Sequence, residues 1–184
     1  MTPDLSRLLR PKSIALFGGG WAVNVVAQLQ KSGFEGDIWP VNPKRADILG
    51  VPCLASIDEV PSAPDASFIG VNRDATIEVV ERLSAMGAGG ATCCASGFLE
   101  SESETAGGAD LQARLIQAAG SMPILGPNCY GLLNYLDNVT LWPDQHGALP
   151  VDSGVAIVAQ SSNIAINMTM QARGLPIAYV VAAG

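Results

Sequence analysis

The stretch Ser13-Ile14-Ala15-Leu16-Phe17-Gly18-Gly19-Gly20-Trp21 decides the fold. Ser13 to Phe17 is a short apolar run closed by glycines, which reads as a strand buried on both faces. Trp21 to Lys31 then carries Val25, Val26 and Leu29 at helical spacing, and Gly33 supplies the stop. Asp37-Ile38-Trp39-Pro40-Val41 is a second strand, ended by the turn Asn42-Pro43. Strand, glycine turn, helix and strand in that order specify a parallel pair with a helical crossover.

The same unit recurs outward along the chain. Ser67 to Val71 is a third strand, and Asp74 is placed to cap a helix whose face is Ile77, Val80 and Leu83. Ala91 to Ala95 is a fourth strand. A helix follows, with an expected capping box of Ser101 with Glu104 and an apolar face of Leu111, Leu115 and Ile116. Glu100, Glu102 and Glu104 are read as structural acids around that helix start rather than a paired-carboxylate site. Pro123 to Leu125 is a short fifth strand before Gly126-Pro127-Asn128. The expected architecture is a parallel sheet covered on both faces, with its functional loops at the carboxyl edge.

Beyond residue 131 the pattern changes. Residues 132–152 have no clear period and read as a connecting segment. Gly154 to Val158 is a fresh strand, Ser161 to Arg173 a helix, and Pro176 to Val181 another strand. Two strands and one helix cannot bury both faces of a sheet, so residues 153–184 are expected to open a second domain.

Composition bounds what such a chain can do. Among 184 residues, 10 are Lys or Arg and 17 Asp or Glu, a net charge of −7. That balance argues against general nucleic-acid or anionic-membrane binding, while leaving room for a local basic spot that holds one phosphate. A hydrophobic share of 48% supplies a core and excludes disorder. No apolar run approaches the roughly 18 residues of a membrane span, and the N-terminus has no secretory apolar region. Cys53, Cys93, Cys94 and Cys129 have no metal-like spacing, so unpaired thiols of a cytoplasmic protein are expected. Cys93 and Cys94 should point to opposite faces of their strand.

Two loops carry chemistry. Gly18-Gly19-Gly20 lets backbone approach a phosphate, and the following helix offers unpaired N–H groups. As a dinucleotide fingerprint it is imperfect. Val23 holds the third glycine position, and Asn42 stands where a ribose-binding acid is needed, so NAD is disfavoured. Lys44 and Arg45 instead suit an adenosine with an extra ribose phosphate, as in NADP or coenzyme A, unless they are plain surface charges.

Leu9 to Ala15, Phe34-Glu35-Gly36, Val41-Asn42-Pro43-Lys44, Ala95 to Glu100 and Gly126 to Gly131 carry, in order, a resemblance to a known family. The chain resembles the N-terminal coenzyme A-binding region of the NDP-forming acyl-CoA synthetases, relatives of the succinyl-CoA synthetase alpha subunit. The resemblance implies a Rossmann-like doubly wound sheet over residues 1–131, then the start of a flavodoxin-like second domain. It implies that Gly18, Gly19, Gly20 and Trp21 hold coenzyme A phosphates, with Val41, Asn42, Pro43, Lys44 and Arg45 near the nucleotide. Val71, Asn72 and Cys94-Ala95-Ser96-Gly97 would line the nucleotide and pantetheine path, with Asn128 near the active site. Ser161, Ser162 and Asn163 would open a helix facing a phosphorylated histidine that lies outside this chain. Ala159 and Ser162 replace the first Ser and the Gly of the family's Ser-Gln-Ser-Gly-Ala, and Asn72 replaces a Pro common in relatives. ATP or GTP with Mg would be handled by an ATP-grasp module on the same or another chain, in an oligomer activating a small carboxylic acid. His146, the only histidine, stands in the connecting segment and reads as a solvated loop residue without a phosphoryl-carrying role. A coenzyme A-binding-like module of a protein acyltransferase and an NADP-dependent oxidoreductase domain are the rival readings.

Overall fold

The computed structural model describes residues 4–103, 107–147, 149–171 and 174–184. A one-turn helix α1 (Ser6–Leu9) leads into β1 (Ser13–Gly18), α2 (Gly20–Ser32) and β2 (Asp37–Val41). A two-residue hairpin, β3 (Asp47–Ile48) and β4 (Val51–Pro52), precedes β5 (Ala66–Gly70), α3 (Arg73–Met86) and β6 (Ala91–Cys93). After α4 (Gly108–Ala119) comes β7 (Ile124–Leu125). These strands form a five-stranded sheet in the order β2-β1-β5-β6-β7, parallel throughout.

Alternation along β1 explains why both faces are covered. Ile14 and Leu16 pack with Ala22, Val25, Val26 and Leu29 of α2, and Ala15 and Phe17 join the opposite core beneath α3 and α4. Burying each such Val or Leu stabilises the fold by about 1.5–3 kcal/mol. α2 ends as anticipated at Gly33, whose φ of 73° is left-handed; its N–H donates to the Gln30 carbonyl and the following Phe34 N–H to that of Leu29. Cys93 and Cys94 do split between the two cores.

Three local expectations are corrected. The cap of α3 is Asn72, whose side-chain oxygen accepts from Ala75 N–H at 3.0 Å, whereas Asp74 lies within the first turn. Ser101 closes a 3-10 turn (Leu99–Ser101) and does not start α4, and Glu104 lies outside the described residues. The Glu102 carboxylate takes over by folding back to accept from Ala109 N–H at 2.7 Å and Gly107 N–H at 3.3 Å. On α4 itself Leu115 is buried, but Ile116 is 58% exposed, because a helix turn of 3.6 residues carries it off the buried stripe.

Residues 132–152 are not an irregular connection throughout. β8 (Gly131–Asn134) and β9 (Val139–Leu141) form an antiparallel hairpin there. Both strands are buried along their whole length, so neither shows the alternation by which a half-buried strand is read. β10 (Val155–Ala159), α5 (Ser162–Thr169) and β11 (Ile177–Ala182) make the expected parallel βαβ unit. β11 then pairs antiparallel with β8, giving a mixed sheet β10-β11-β8-β9. The anticipated end of α5 at Arg173 lies outside the described residues. Among the described residues, no helix is long and apolar enough to cross a membrane.

Candidate functional site

The order β2-β1-β5-β6-β7 reverses direction between β1 and β5, and ligands of open α/β sheets settle outside the carboxyl ends of strands at such a point. Gly18 and Gly70 face each other there in register. Gly18 has φ 138°, and a Cβ on it would lie 2.5 Å from the Gly70 carbonyl oxygen, so no larger residue fits. A Cβ on Gly19 or Gly20 would meet nothing within 4 Å, which leaves that backbone open to close approach. Asn42 is committed locally. Its Nδ2 donates to the Gly18 carbonyl at 3.0 Å, and its Oδ1 accepts from Lys44 N–H at 3.0 Å. The amide therefore ties the turn after β2 to the glycine loop.

A cleft of about 730 Å³ opens at this edge. Of the residues singled out from sequence, Trp21, Val71, Asn72 and Cys94 to Gly97 line it together. Gly70, Arg73 and Asp74 complete the lining. Arg73 had no sequence signal. Its Nη1 donates to the Gly97 carbonyl at 3.1 Å across a separation of 24 residues. Gly97, at φ 95°, leaves room for that guanidinium, since a Cβ would lie 2.8 Å from Nη1. Glu100 Oε1 holds the same loop by accepting from Gly97 N–H at 2.7 Å and Phe98 N–H at 3.3 Å, so its role is structural. Gly19, Gly20, Val41, Pro43, Lys44 and Arg45 line neither this cleft nor its neighbour. Lys44 and Arg45 stand exposed on the adjoining turn.

The neighbouring cavity, about 390 Å³, lies between the loop after β7 and the start of α5. Trp21 and Cys94 belong to both. Asn128, Ser161, Ser162 and Asn163 line it, as do Gln160 and Tyr130. Ser161 caps α5 through its Oγ, which accepts from Ile164 N–H at 3.4 Å. Asn128 N–H donates to the Ala95 carbonyl at 2.9 Å, fixing the two loops together. Burial raises the Cys93 and Cys94 thiols far above the ordinary thiol range and Cys129 to about 12, so none is an ionised nucleophile.

His146 lines neither cavity, and it is not simply solvated. It is half-buried, with Nδ1 3.1 Å from the Tyr135 hydroxyl and Nε2 buried without a partner. Burial, with a smaller effect from Lys31, lowers its pKa.

Fold and site together define a doubly wound α/β domain of the kind that holds a nucleotide-bearing ligand at its switch point. The profile of the CoA binding domain family matches residues 12–135, and the chain belongs to that family. It is similar to a trans-feruloyl-CoA synthase from an unknown prokaryotic organism, 33% identical over 192 aligned residues that cover 98% of this chain and 27% of the relative. An ADP-forming acetate–CoA ligase II of Archaeoglobus fulgidus is 37% identical over 139 residues, covering 72% of this chain and 20% of that protein. Among solved structures, the apo dinucleotide-forming acetyl-coenzyme A synthetase 1 of Ca. Korarchaeum cryptofilum has a TM-score of 0.85 at 26% identity. That match covers 98% of this chain and 40% of that one. The chain thus spans about a quarter of the length of the curated relatives it matches.

Proposed function

We propose that the larger cleft binds coenzyme A and that the full-length protein is an NDP-forming acyl-CoA synthetase. The overall reaction would be carboxylic acid, coenzyme A and nucleoside triphosphate giving acyl-CoA, nucleoside diphosphate and phosphate. Coenzyme A supplies the thiol that accepts the acyl group. In this reading the open backbone of Gly19 and Gly20 and the first turn of α2 take the diphosphate. Lys44 and Arg45 face the ribose phosphate, beside the Gly18 loop that Asn42 holds in place. Val71, Asn72 and Cys94 to Gly97 guide the pantetheine arm toward the smaller cavity, with Arg73 an additional cation at the cleft wall. Asn128 and the start of α5 at Ser161, Ser162 and Asn163 stabilise the anionic acyl phosphate end through unpaired N–H groups. The phosphohistidine, and ATP or GTP with Mg, belong to parts outside this chain, the nucleotide to an ATP-grasp module in an oligomeric enzyme. Unpaired cysteines and nucleotide-driven chemistry fit a cytoplasmic setting. The acids named in the relatives range from acetate to ferulate.

The observation that supports this most directly is the convergence of Trp21, in the first turn of α2, with the loops after β5 and β6 on one cleft at the switch point. Calorimetric titration tests it. Coenzyme A should bind, dephospho-coenzyme A more weakly, and NADP more weakly still. Tight NADP binding with no heat from coenzyme A would overturn the assignment.

A further inference from the structure

The two cavities share a wall, and its chemistry is uneven. The smaller cavity is lined by the polar side chains of Gln160, Ser161 and Ser162. It is also lined by two aromatic rings, those of Trp21 and Tyr130. Trp21 meets Tyr130 edge-on, with ring centroids 5.6 Å apart and planes at 66°. Tyr130 in turn leans on Trp142 at 5.3 Å and 57°. Trp142 is fully buried, whereas Trp21 is 43% exposed. Three of only ten aromatic side chains in the chain therefore form one ladder, anchored in the core around β11 and exposed at the wall common to both cavities. The anchor fixes the ring orientations, and the exposed end keeps a large apolar surface wet.

Building on the coenzyme A reading above, we propose that the smaller cavity is the acyl subsite and that it selects aromatic carboxylic acids. Trp21 and Tyr130 are its specificity-determining side chains. A flat aryl body meets the exposed ladder at offset or edge-on distances of about 4.5–7 Å, while the acyl head is left to the polar side chains of Gln160, Ser161 and Ser162. A cavity of about 390 Å³ holds such an acid within the size range of small-molecule sites, roughly 300–1,000 Å³. A two-carbon acid would leave the Trp21 face against water. The Cys94 thiol, kept neutral by burial, is an inert part of the same wall.

The test is a calorimetric comparison of coenzyme A, acetyl-CoA and benzoyl-CoA on the 184-residue chain. Benzoyl-CoA should bind about three- to tenfold more tightly than acetyl-CoA, the fold-change that one aromatic pair carries, and should perturb tryptophan fluorescence. Tyr130→Leu should abolish that advantage while coenzyme A affinity stays within about twofold, because Tyr130 does not line the larger cleft. Tyr130→Phe, which keeps the ring, should retain the advantage. If coenzyme A binds but benzoyl-CoA gains nothing over acetyl-CoA in the unmodified chain, the aromatic subsite is wrong and the coenzyme A reading stands. If coenzyme A itself does not bind, both fall together.

Discussion

Lys44 and His146 are single residues whose surroundings set opposite expectations. Lys44 is exposed on the turn that Asn42 ties to Gly18. Lys44→Glu should weaken coenzyme A by about 1.5–3 kcal/mol, the range for a hydrogen bond to a charged group. The loss should shrink in high salt, which screens exposed charge, and an unchanged affinity in titration would reduce Lys44 to a surface cation. His146 is held neutral by burial, with its folded pKa below the unfolded value of 6.5. Between those two values the unfolded chain binds more protons than the folded one, so unfolding gains as pH falls. The stability His146 contributes is whole above about pH 6.5 and is lost as pH drops through the lower folded value. Thermal melts from pH 8 to 5 should show that decline, and His146→Gln should flatten it. A lone histidine among loop residues gives no sequence sign of this, because Tyr135, its partner, is eleven positions away in the turn after β8.

At the level of elements, legibility followed length and environment. β1, α2 and β2 could be read directly, since each carries a run or a period long enough to identify and ends at a glycine or turn. α1, with four residues, and the fully buried β8 and β9 offer no period at all. The start of α4 was misplaced because its capping group, Glu102, reaches back from the preceding turn and does not occupy the cap position. In the site, the glycine loop and the segment Cys94 to Gly97 were visible as local composition. Arg73 was not, because only the crossing from β5 to β6 brings its guanidinium onto Gly97. The cap of α3 can be tested directly. Asn72→Ala should cost about 1 kcal/mol, which for a chain of this size lowers Tm by about 2–4 °C. In moderate salt Asp74→Ala should cost only a few tenths of a kcal/mol, since the roughly 0.3–1 kcal/mol that a first-turn acid contributes at low salt is screened. Equal losses from both in thermal unfolding would return the cap to Asp74.

Across the whole molecule, ligand binding and folding are linked. At a hundredfold excess over Kd, coenzyme A should add about 2.7 kcal/mol to the stability of the chain, visible as a rise in Tm that NAD does not reproduce. The β8–β9 hairpin ties the two sheets together. Leu132, Val139 and Leu141 pack into the core beneath α2, while Leu133 and Trp142 belong to the core around β11. Translation is vectorial, and this places the two halves in sequence. Residues 13–125 can pair their strands as they leave the ribosome, but the α2 side stays open until residues 139–141 emerge. That late seal in turn relies on β11, which pairs with β8 and is synthesised after it. A nascent chain stalled near residue 131 should therefore bind a hydrophobic dye and yield to protease at α2, and one extended through residue 184 should resist both. The first sheet is fully covered on its α2 face only when the second has begun.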